Sequence, residues 1–185
     1  RSLTKKDSAW TWDEPHEKAF QMMKEILTQP PVLAMFDPTR PTRLEVDAAK
    51  TKGIGFALLQ QQGEDDDWRI ITCGSRFWTD PESRYAVIEM EALGILWAIK
   101  KCHLYLAGME FEVHNDHKPL APSFNDYTLD QIENAKIQRY RAALQNYCFK
   151  VIWRKGKKHV LADALSRAPV DDPTEEDHHA TFQLT

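Results

Sequence analysis

The order of predicted elements along this chain is typical of an α/β fold with one mixed five-stranded sheet. Three strand-like segments, 43–47, 53–59 and 68–77, follow one another without a helix between them, which predicts an antiparallel meander. The pattern then changes to a helical period, and two further strands at 110–114 and 148–154 alternate with helices. We therefore expect three antiparallel strands first, and helices that flank the completed sheet.

Apolar side chains at steps of three and four predict helices over 13–27, 81–106, 130–145 and 160–166. An aspartate at the start of the first of these helices can cap it. The segment 30–41, which joins that helix to the first strand, contains four prolines and is interpreted as a connector.

A chain of 185 residues fits one domain with appendages. We predict a connector at 1–41, a folded domain at 42–168, and an acidic, proline-bearing segment at 169–185 that is disordered. No apolar run approaches the roughly 18 residues of a membrane span, and the first ten residues lack the apolar core of a signal peptide. The three cysteines form no CxxC pair, which favours reduced thiols in a cytoplasmic protein without a membrane partner.

The charges are unevenly distributed, although the net charge is only −4. Between Asn134 and Ala162 there are eight lysines or arginines and no acid, which predicts a basic face that could bind phosphates. The residues expected to contact nucleic acid are Lys136, Arg139, Arg141, Arg154, Lys155 and Lys157. A solvated helix face explains the same run of charges equally well.

Four carboxylates stand at the end of an apolar element or inside one, where charge is otherwise hard to explain. Asp47 ends the first strand, Glu91 lies within the long apolar helix, Asp116 ends the fourth strand, and Asp163 lies at the start of the last helix. An aspartate at such a position, taken singly, is more often a cap or a turn residue. Spacing alone does not establish that the four converge.

If they do converge, their chemistry is restricted. Clustered carboxylates repel one another unless cations lie between them, and hard oxygen ligands select Mg²⁺ or Mn²⁺. Two such ions, roughly 3.5–4 Å apart, can activate a water and stabilise the leaving oxygen of a phosphodiester. The pattern is therefore compatible with a two-metal phosphodiester hydrolase.

Ordered motifs over about residues 10–170 resemble the ribonuclease H domain of gypsy-type (Metaviridae) LTR-retrotransposon reverse transcriptases. The motifs are 44–49 followed by 53–61, 75–77 followed by 85–93, 105–108 followed by 116–120, and 155–167. Several such motifs in order are far more specific than one short pattern. The resemblance implies a ribonuclease-H-like fold, with residues 1–41 forming the end of the reverse transcriptase and its connector.

The resemblance also implies the activity: endonucleolytic hydrolysis of the RNA strand of RNA·DNA hybrids during reverse transcription, with two Mg²⁺ or Mn²⁺ ions. The implied partners are the hybrid and the polymerase domain of the same polyprotein, in the cytoplasm and within virus-like particles. The family's catalytic and metal-binding acids fall on Asp47, Glu91, Asp116 and Asp163. Glu89 competes with Glu91, but the two point about 200° apart on a helix, and Glu91 precedes the Ala-Leu step of the motif.

Neighbouring side chains leave other interpretations open. Asn115 stands where the family usually has threonine, which could alter the surroundings of a metal. A zinc site at His114 and His117 is disfavoured, because residues three apart on a strand point to opposite faces. His159 could shuttle protons, but we expect it to cap the last helix, and we expect His117 to be a turn residue.

Two non-enzymatic functions compete with nuclease activity. Some reverse transcriptases carry a degenerate copy of this fold as a structural connector, and a domesticated host protein could use the fold only to bind nucleic acid. Loss of the acids marks a connector, whereas all four acids are present here. Sequence does not exclude a domesticated binding protein.

Overall fold

The structure is a computed structural model that describes residues 12–28, 33–63, 67–156 and 159–177. Its contacts divide the chain into two compact units, residues 1–33 and residues 34–185. In the first unit, helix α1 (Glu14–Thr28) forms as predicted, and the Asp13 carbonyl accepts hydrogen bonds from the N–H groups of His16 and Glu17. No helix among the described residues is long and apolar enough to cross a membrane.

The second unit contains a five-stranded sheet and five α-helices among its described residues. The strands are β1 (Thr42–Ala49), β2 (Gly53–Gln61), β3 (Trp68–Phe77), β4 (Glu110–Asn115) and β5 (Cys148–Trp153). The helices are α2 (Val87–Lys101), α3 (His103–Leu106), α4 (Leu120–Asn125), α5 (Ala135–Ala143) and α6 (Val160–Arg167).

The sheet order β3-β2-β1-β4-β5 confirms the predicted mixed sheet. Strands β1, β2 and β3 pair antiparallel, whereas β4 pairs parallel to both β1 and β5. Strand β1 is therefore central, and its carboxyl end lies beside that of β4. Acidic residues at these two ends are brought to the same edge of the sheet.

Helices cover both faces of the sheet, as predicted. Leu44 and Val46 of β1 are fully buried in the core beside α2, while α6 packs against β1 and β2. A Cβ added to Gly94 of α2 would lie 3.2 Å from Cγ1 of Val46, so Val46 would have to shift by a few tenths of an ångström to admit a larger residue. The close packing of α2 against the sheet determines how near its side chains come to the edge of the sheet.

The long helix predicted over 81–106 begins later and is interrupted in the structure. A 3-10 helix occupies Glu82–Arg84, and extended backbone at Tyr85 and Ala86 separates it from α2. The Glu82 carboxylate accepts hydrogen bonds from Arg76 and from the Thr79 N–H, which anchors this turn to β3. A second break, at Cys102, separates α2 from α3.

The helix predicted over 130–145 is also shorter in the structure. The Asn134 side chain accepts hydrogen bonds from the N–H groups of Lys136 and Ile137, so it caps α5 and the helix begins after it. A 3-10 helix at Leu129–Gln131 precedes this cap. Helix α4 was not predicted, because its short sequence lacks a helical period.

The acidic segment at 169–185 is not disordered over its described part, which corrects the sequence-based expectation. The Phe77 N–H donates to the Asp171 carbonyl, and the Val170 N–H donates to Ser75 Oγ. Asp177 is buried beside Arg76. Residues 178–185 lie outside the described part of the chain, and the linker role of this segment stays a prediction.

The connector predicted to end at residue 41 packs against the sheet from residue 34 onwards. The Phe36 ring contacts the Tyr105 ring edge-on, with centroids 5.2 Å apart. The Asp37 N–H donates to the buried Gln60 amide oxygen. Residues 34–41 therefore belong to the second compact unit.

Candidate active site and metal centre

Three of the four predicted acids meet at the edge of the sheet where β1 and β4 end. Asp47 lies near the end of β1, Asp116 directly follows β4, and Glu91 projects from the second turn of α2. Each contributes a carboxylate oxygen to a group in which all ligand atoms lie within 4.8 Å of one another. This convergence follows from the parallel pairing of β1 and β4 and from the depth of α2.

Glu91 is the most strongly perturbed of these acids. Its pKa is raised to about 8, mainly by burial and also by the negative charges of Asp47 and Asp116, although a hydrogen bond from Asn115 opposes the rise. Burial also raises the pKa of Asp47, and Asp116 and Asp163 add to that effect. Without a cation, the site therefore disfavours full ionisation.

Asn115, which departs from the family's usual threonine, touches this cluster directly. Its side-chain nitrogen donates to Glu91 Oε2 at 2.9 Å, and its side-chain oxygen accepts from the His117 N–H at 2.9 Å. The amide is buried and therefore well fixed. It orients Glu91 and the turn that follows Asp116.

Asp163 lines the same cavity but does not belong to the close group of three. Its Oδ1 accepts from Arg167 Nε at 2.6 Å, one helical turn further along α6. Its charge nevertheless contributes to the raised pKa of Asp47. The structure thus brings three acids together and places the fourth at the rim, paired with an arginine.

The cavity around the acids has a volume of about 630 Å³. Cationic side chains that were not selected from the sequence also line it: Lys50 and Lys52, from the turn between β1 and β2, and Arg167. Two lysines directly after a strand that ends in a candidate ligand were the available signal. These lysines place positive charge beside the acids.

The second glutamate of α2, Glu89, does not compete for the site. It accepts hydrogen bonds from the Ala86 N–H at 3.1 Å and from the Asn134 amide at 3.1 Å, and it pairs with Lys136 at 3.0 Å. These contacts hold Glu89 to the start of α5. Glu89 and Glu91 thus point in different directions, as expected for residues two positions apart on a helix.

Neither His114 nor His117 belongs to a group of potential metal ligands among the described residues. His114 is buried, and its Nε2 lies 2.7 Å from Glu112 Oε2. His117 lines the acid cavity, at a turn as expected. Among the described residues, no group of three potential ligands other than Asp47, Glu91 and Asp116 could hold a metal ion.

His159 occupies the N-cap position of α6, but its side chain makes no capping hydrogen bond, contrary to expectation. The ring is almost fully buried, with neither nitrogen bonded among the described residues. Burial, followed by the charge of His114, lowers its pKa to about 4. The ring is therefore neutral near physiological pH.

The basic residues predicted to bind nucleic acid differ in their contacts and exposure. Arg141 donates to the carbonyls of Ser123, at 3.1 Å, and of Tyr127, and Lys136 pairs with Glu89 at 3.0 Å. Arg139 and Lys155 are exposed, Arg154 is half-buried, and Lys157 lies outside the described residues. The role of this stretch in binding stays a prediction, and two of its members already serve the fold.

A central mixed sheet with helices on both faces and buried acids at one edge is the arrangement of a ribonuclease-H-like domain. The chain belongs to the family described as "RNase H-like domain found in reverse transcriptase", whose model matches residues 12–113. The family that the sequence motifs resemble is thereby confirmed.

The curated relatives are retrotransposon polyproteins. The chain is 37% identical over 161 residues to the Pol polyprotein of transposon opus, and 37% identical over 158 residues to that of transposon gypsy, both from Drosophila melanogaster. These alignments cover 86% and 84% of this chain, but only 15% and 14% of the polyproteins. The chain therefore corresponds to a small part of them.

Solved structures share the fold at low sequence identity. A foamy viral protease–reverse transcriptase in complex with double-stranded DNA aligns over 82% of this chain and 28% of its own, with a TM-score of 0.60 and 14% identity. The N-terminal RNase H domain of a Mycobacterium tuberculosis protein aligns over 71% of this chain and 99% of its own, with a TM-score of 0.52 and 12% identity. The fold class predicted from the sequence is confirmed.

Proposed function

We propose that this domain hydrolyses the RNA strand of RNA·DNA hybrids, as the ribonuclease H part of a retrotransposon polyprotein. The observation that carries the proposal is the convergence of Asp47, Glu91 and Asp116 within 4.8 Å. Two buried carboxylates and that of Asp116 lie close enough to repel one another unless cations lie between them.

The residues present are compatible with divalent cations, and we propose that two ions bind here. Every candidate ligand is a carboxylate oxygen, the donor type that Mg²⁺ and Mn²⁺ prefer. The raised pKa values of Glu91 and Asp47 are those of a site that needs added positive charge. Asp47, Glu91 and Asp116 would hold the ions, and Asp163 would join them by releasing Arg167.

Such ions would supply activation of the attacking water and stabilisation of the leaving oxygen. The chain's own residues would do the rest. Asn115 holds Glu91 in place, and the lysines of the β1–β2 turn would contact phosphates beside the cleaved bond. Residues of the basic stretch that remain accessible, Arg139 and Lys155, would extend this contact along the duplex.

The family membership and the retrotransposon relatives support a role in reverse transcription, next to a polymerase domain in the same polyprotein. These polyproteins extend far beyond this chain, so the polymerase partner and the particle location belong to the proposal.

A cleavage assay tests the proposal. The chain, in Mg²⁺ or Mn²⁺, should cut labelled RNA in a hybrid, and should leave single-stranded RNA, duplex RNA and duplex DNA intact. Asp47→Asn should lower the rate by about a thousandfold or more, since a ligand to the metal pair contributes several kcal/mol. Hybrid binding without cleavage by the wild type would instead indicate a connector or a domesticated binding protein.

A further inference from the structure

The serine of the Ala-Leu-Ser-Arg segment in α6 reaches across to the acid cluster. Ser166 is fully buried, and its hydroxyl donates a hydrogen bond to Oδ2 of Asp47 on β1. It is not among the residues assigned to metal or substrate. Its position therefore suggests an action through Asp47.

A glycine in β2 makes this contact possible. Gly55 pairs with Asp47 in the sheet, and α6 crosses directly above it. A Cβ on Gly55 would lie 2.4 Å from the Ser166 nitrogen and 2.7 Å from the Ala162 carbonyl oxygen, both backbone atoms that cannot move aside. The absence of a side chain at Gly55 thus lets α6 approach the sheet closely enough for Ser166 to reach Asp47.

The Ser166 hydroxyl has one proton to donate and two acceptors within reach. The carbonyl oxygen of Asp163, three residues earlier in α6, lies 3.0 Å from Ser166 Oγ and is the usual local acceptor for a helical serine. An ionised carboxylate is the stronger acceptor, because hydrogen bonds to charged groups are roughly twice as strong as neutral ones. The contact with the Asp47 carboxylate is therefore the stronger of the two contacts of the Ser166 hydroxyl.

Asp47 needs such an anchor. The neighbouring charges of Asp116 and Asp163 act on its carboxylate, and these repulsions favour rotation away from the cluster. A donor fixed on a packed helix resists that rotation while leaving the other carboxylate oxygen free.

We propose that Ser166 is a positioning residue, which fixes the Asp47 carboxylate so that its free oxygen faces Glu91 and Asp116 in metal-binding geometry. The inference rests on the proposed function, since it names a determinant of the same metal site. Partners of this kind typically alter metal affinity or activity by 10- to 100-fold when removed.

The first test measures Mn²⁺ binding by calorimetry in wild type, Ser166→Ala and Ser75→Ala. Ser75 is the matched control, because it is also buried and its hydroxyl accepts one hydrogen bond, from the Val170 N–H, but it touches no acid of the cluster. Ser166→Ala should weaken Mn²⁺ binding about tenfold. Ser75→Ala should lower stability and leave the Mn²⁺ affinity within about twofold of wild type.

Steady-state kinetics distinguish a positioning role of Ser166 from a role in packing alone. Ser166→Ala should lower kcat for hybrid cleavage while leaving KM for the hybrid unchanged, because the serine makes no substrate contact. If Ser166→Ala does not fold, Ser166→Cys keeps the side-chain size with a much weaker donor and should show the same loss. Wild-type Mn²⁺ affinity in either folded variant overturns the proposal.

A double-mutant cycle tests the contact without any metal. The effects of Ser166→Ala and Asp47→Ala on the unfolding equilibrium constant should be non-additive by about tenfold, the amount expected for a hydrogen bond to a charged group. Additive effects overturn the positioning role. A wild-type chain that binds no Mn²⁺, yet shows this coupling, would instead overturn the proposed nuclease function.

Discussion

This domain contains two clusters of charged side chains, which differ in how their charges are compensated. At the acid cluster, Glu91 and its neighbours share like charge, and burial raises the pKa of Glu91 to about 8. At the edge of β3, Arg76 forms a two-pronged pair with Glu82 at 2.7 and 2.9 Å, and Asp177 lies 3.5 Å from the same guanidinium.

The second cluster favours the ionised form of Asp177. Burial alone would raise the pKa of Asp177, but hydrogen bonds from Thr174 and the charge of Arg76 outweigh it and lower the pKa. A buried cluster that contains its own counter-charge needs nothing from outside, whereas the cationic side chains around the acid cavity leave the pKa values of Glu91 and Asp47 raised. Charge balance thus separates a structural network from a candidate catalytic site.

The largest expected effect comes from removing the counter-charge at β3. Arg76→Met removes the guanidinium that Glu82 and Asp177 share, and should lower the free energy of unfolding by about 3–5 kcal/mol. Urea unfolding measures this loss.

Arg69 provides the matched control on the same strand. It pairs with Asp67 at 2.9 Å, but both side chains are substantially exposed. Arg69→Met should therefore cost less than about 1 kcal/mol. Equal losses in the two variants would show that the β3 cluster behaves like a surface ion pair.

The two clusters also differ in how well they can be predicted from the sequence. The acids of the candidate site stand at the ends of strong apolar elements, so periodicity and motifs located Asp47, Glu91 and Asp116 before any geometry was known. Arg76 and Asp177 lie far apart in the chain, and the acidic, proline-bearing segment that carries Asp177 has the composition of a disordered linker. Only tertiary contact gives it structure.

The predicted helix boundaries were wrong for a related reason. The cap at Asn134 and the anchor at Glu82 depend on particular side-chain hydrogen bonds, which a hydrophobic period does not encode. Lys50, Lys52 and Ser166 were missed because their importance comes from the cavity and the packing of α6, not from a pattern.

Deletions at the carboxyl end of the chain test how much the contacts of Asp171 and Asp177 contribute to stability. Deleting 171–185 removes Asp177 and the hydrogen bond from the Phe77 N–H to the Asp171 carbonyl, and should lower the free energy of unfolding by about 1–3 kcal/mol. Deleting only 178–185 is the control, because it retains Asp171 and Asp177, and it should change the free energy of unfolding less than the longer deletion does. An unchanged melting temperature in the longer deletion would restore the interpretation of this segment as a linker.

Stability in excess chelator should fall as pH rises, because of Glu91. Its folded pKa of about 8 lies above the ordinary value of 4.5, so the folded state holds one more proton between these values. The contribution is fully present below pH 4.5 and is lost as pH rises through 8, with a slope of at most about 1.4 kcal/mol per pH unit.

Unfolding at pH 6, 7 and 8 checks this slope. Glu91→Gln should flatten it, whereas Glu89→Gln should not, because the pKa of Glu89 is lowered by its hydrogen bonds to Asn134 and Lys136 despite burial. Parallel pH curves for wild type and Glu91→Gln would show that the acid cluster tolerates full ionisation without a metal.

The smallest effect should come from the lysines that line the acid cavity. Lys50→Gln with Lys52→Gln removes two candidate phosphate contacts, and should make the slope of log binding constant against log salt shallower by about 1–2. Fluorescence anisotropy with a labelled hybrid in chelator measures binding without cleavage. The paired variant Arg139→Gln with Lys155→Gln tests the basic stretch in the same assay. If the second pair changes the slope and the first does not, the hybrid follows the sequence-predicted stretch, and the lysines only offset the repulsion of the acid cluster.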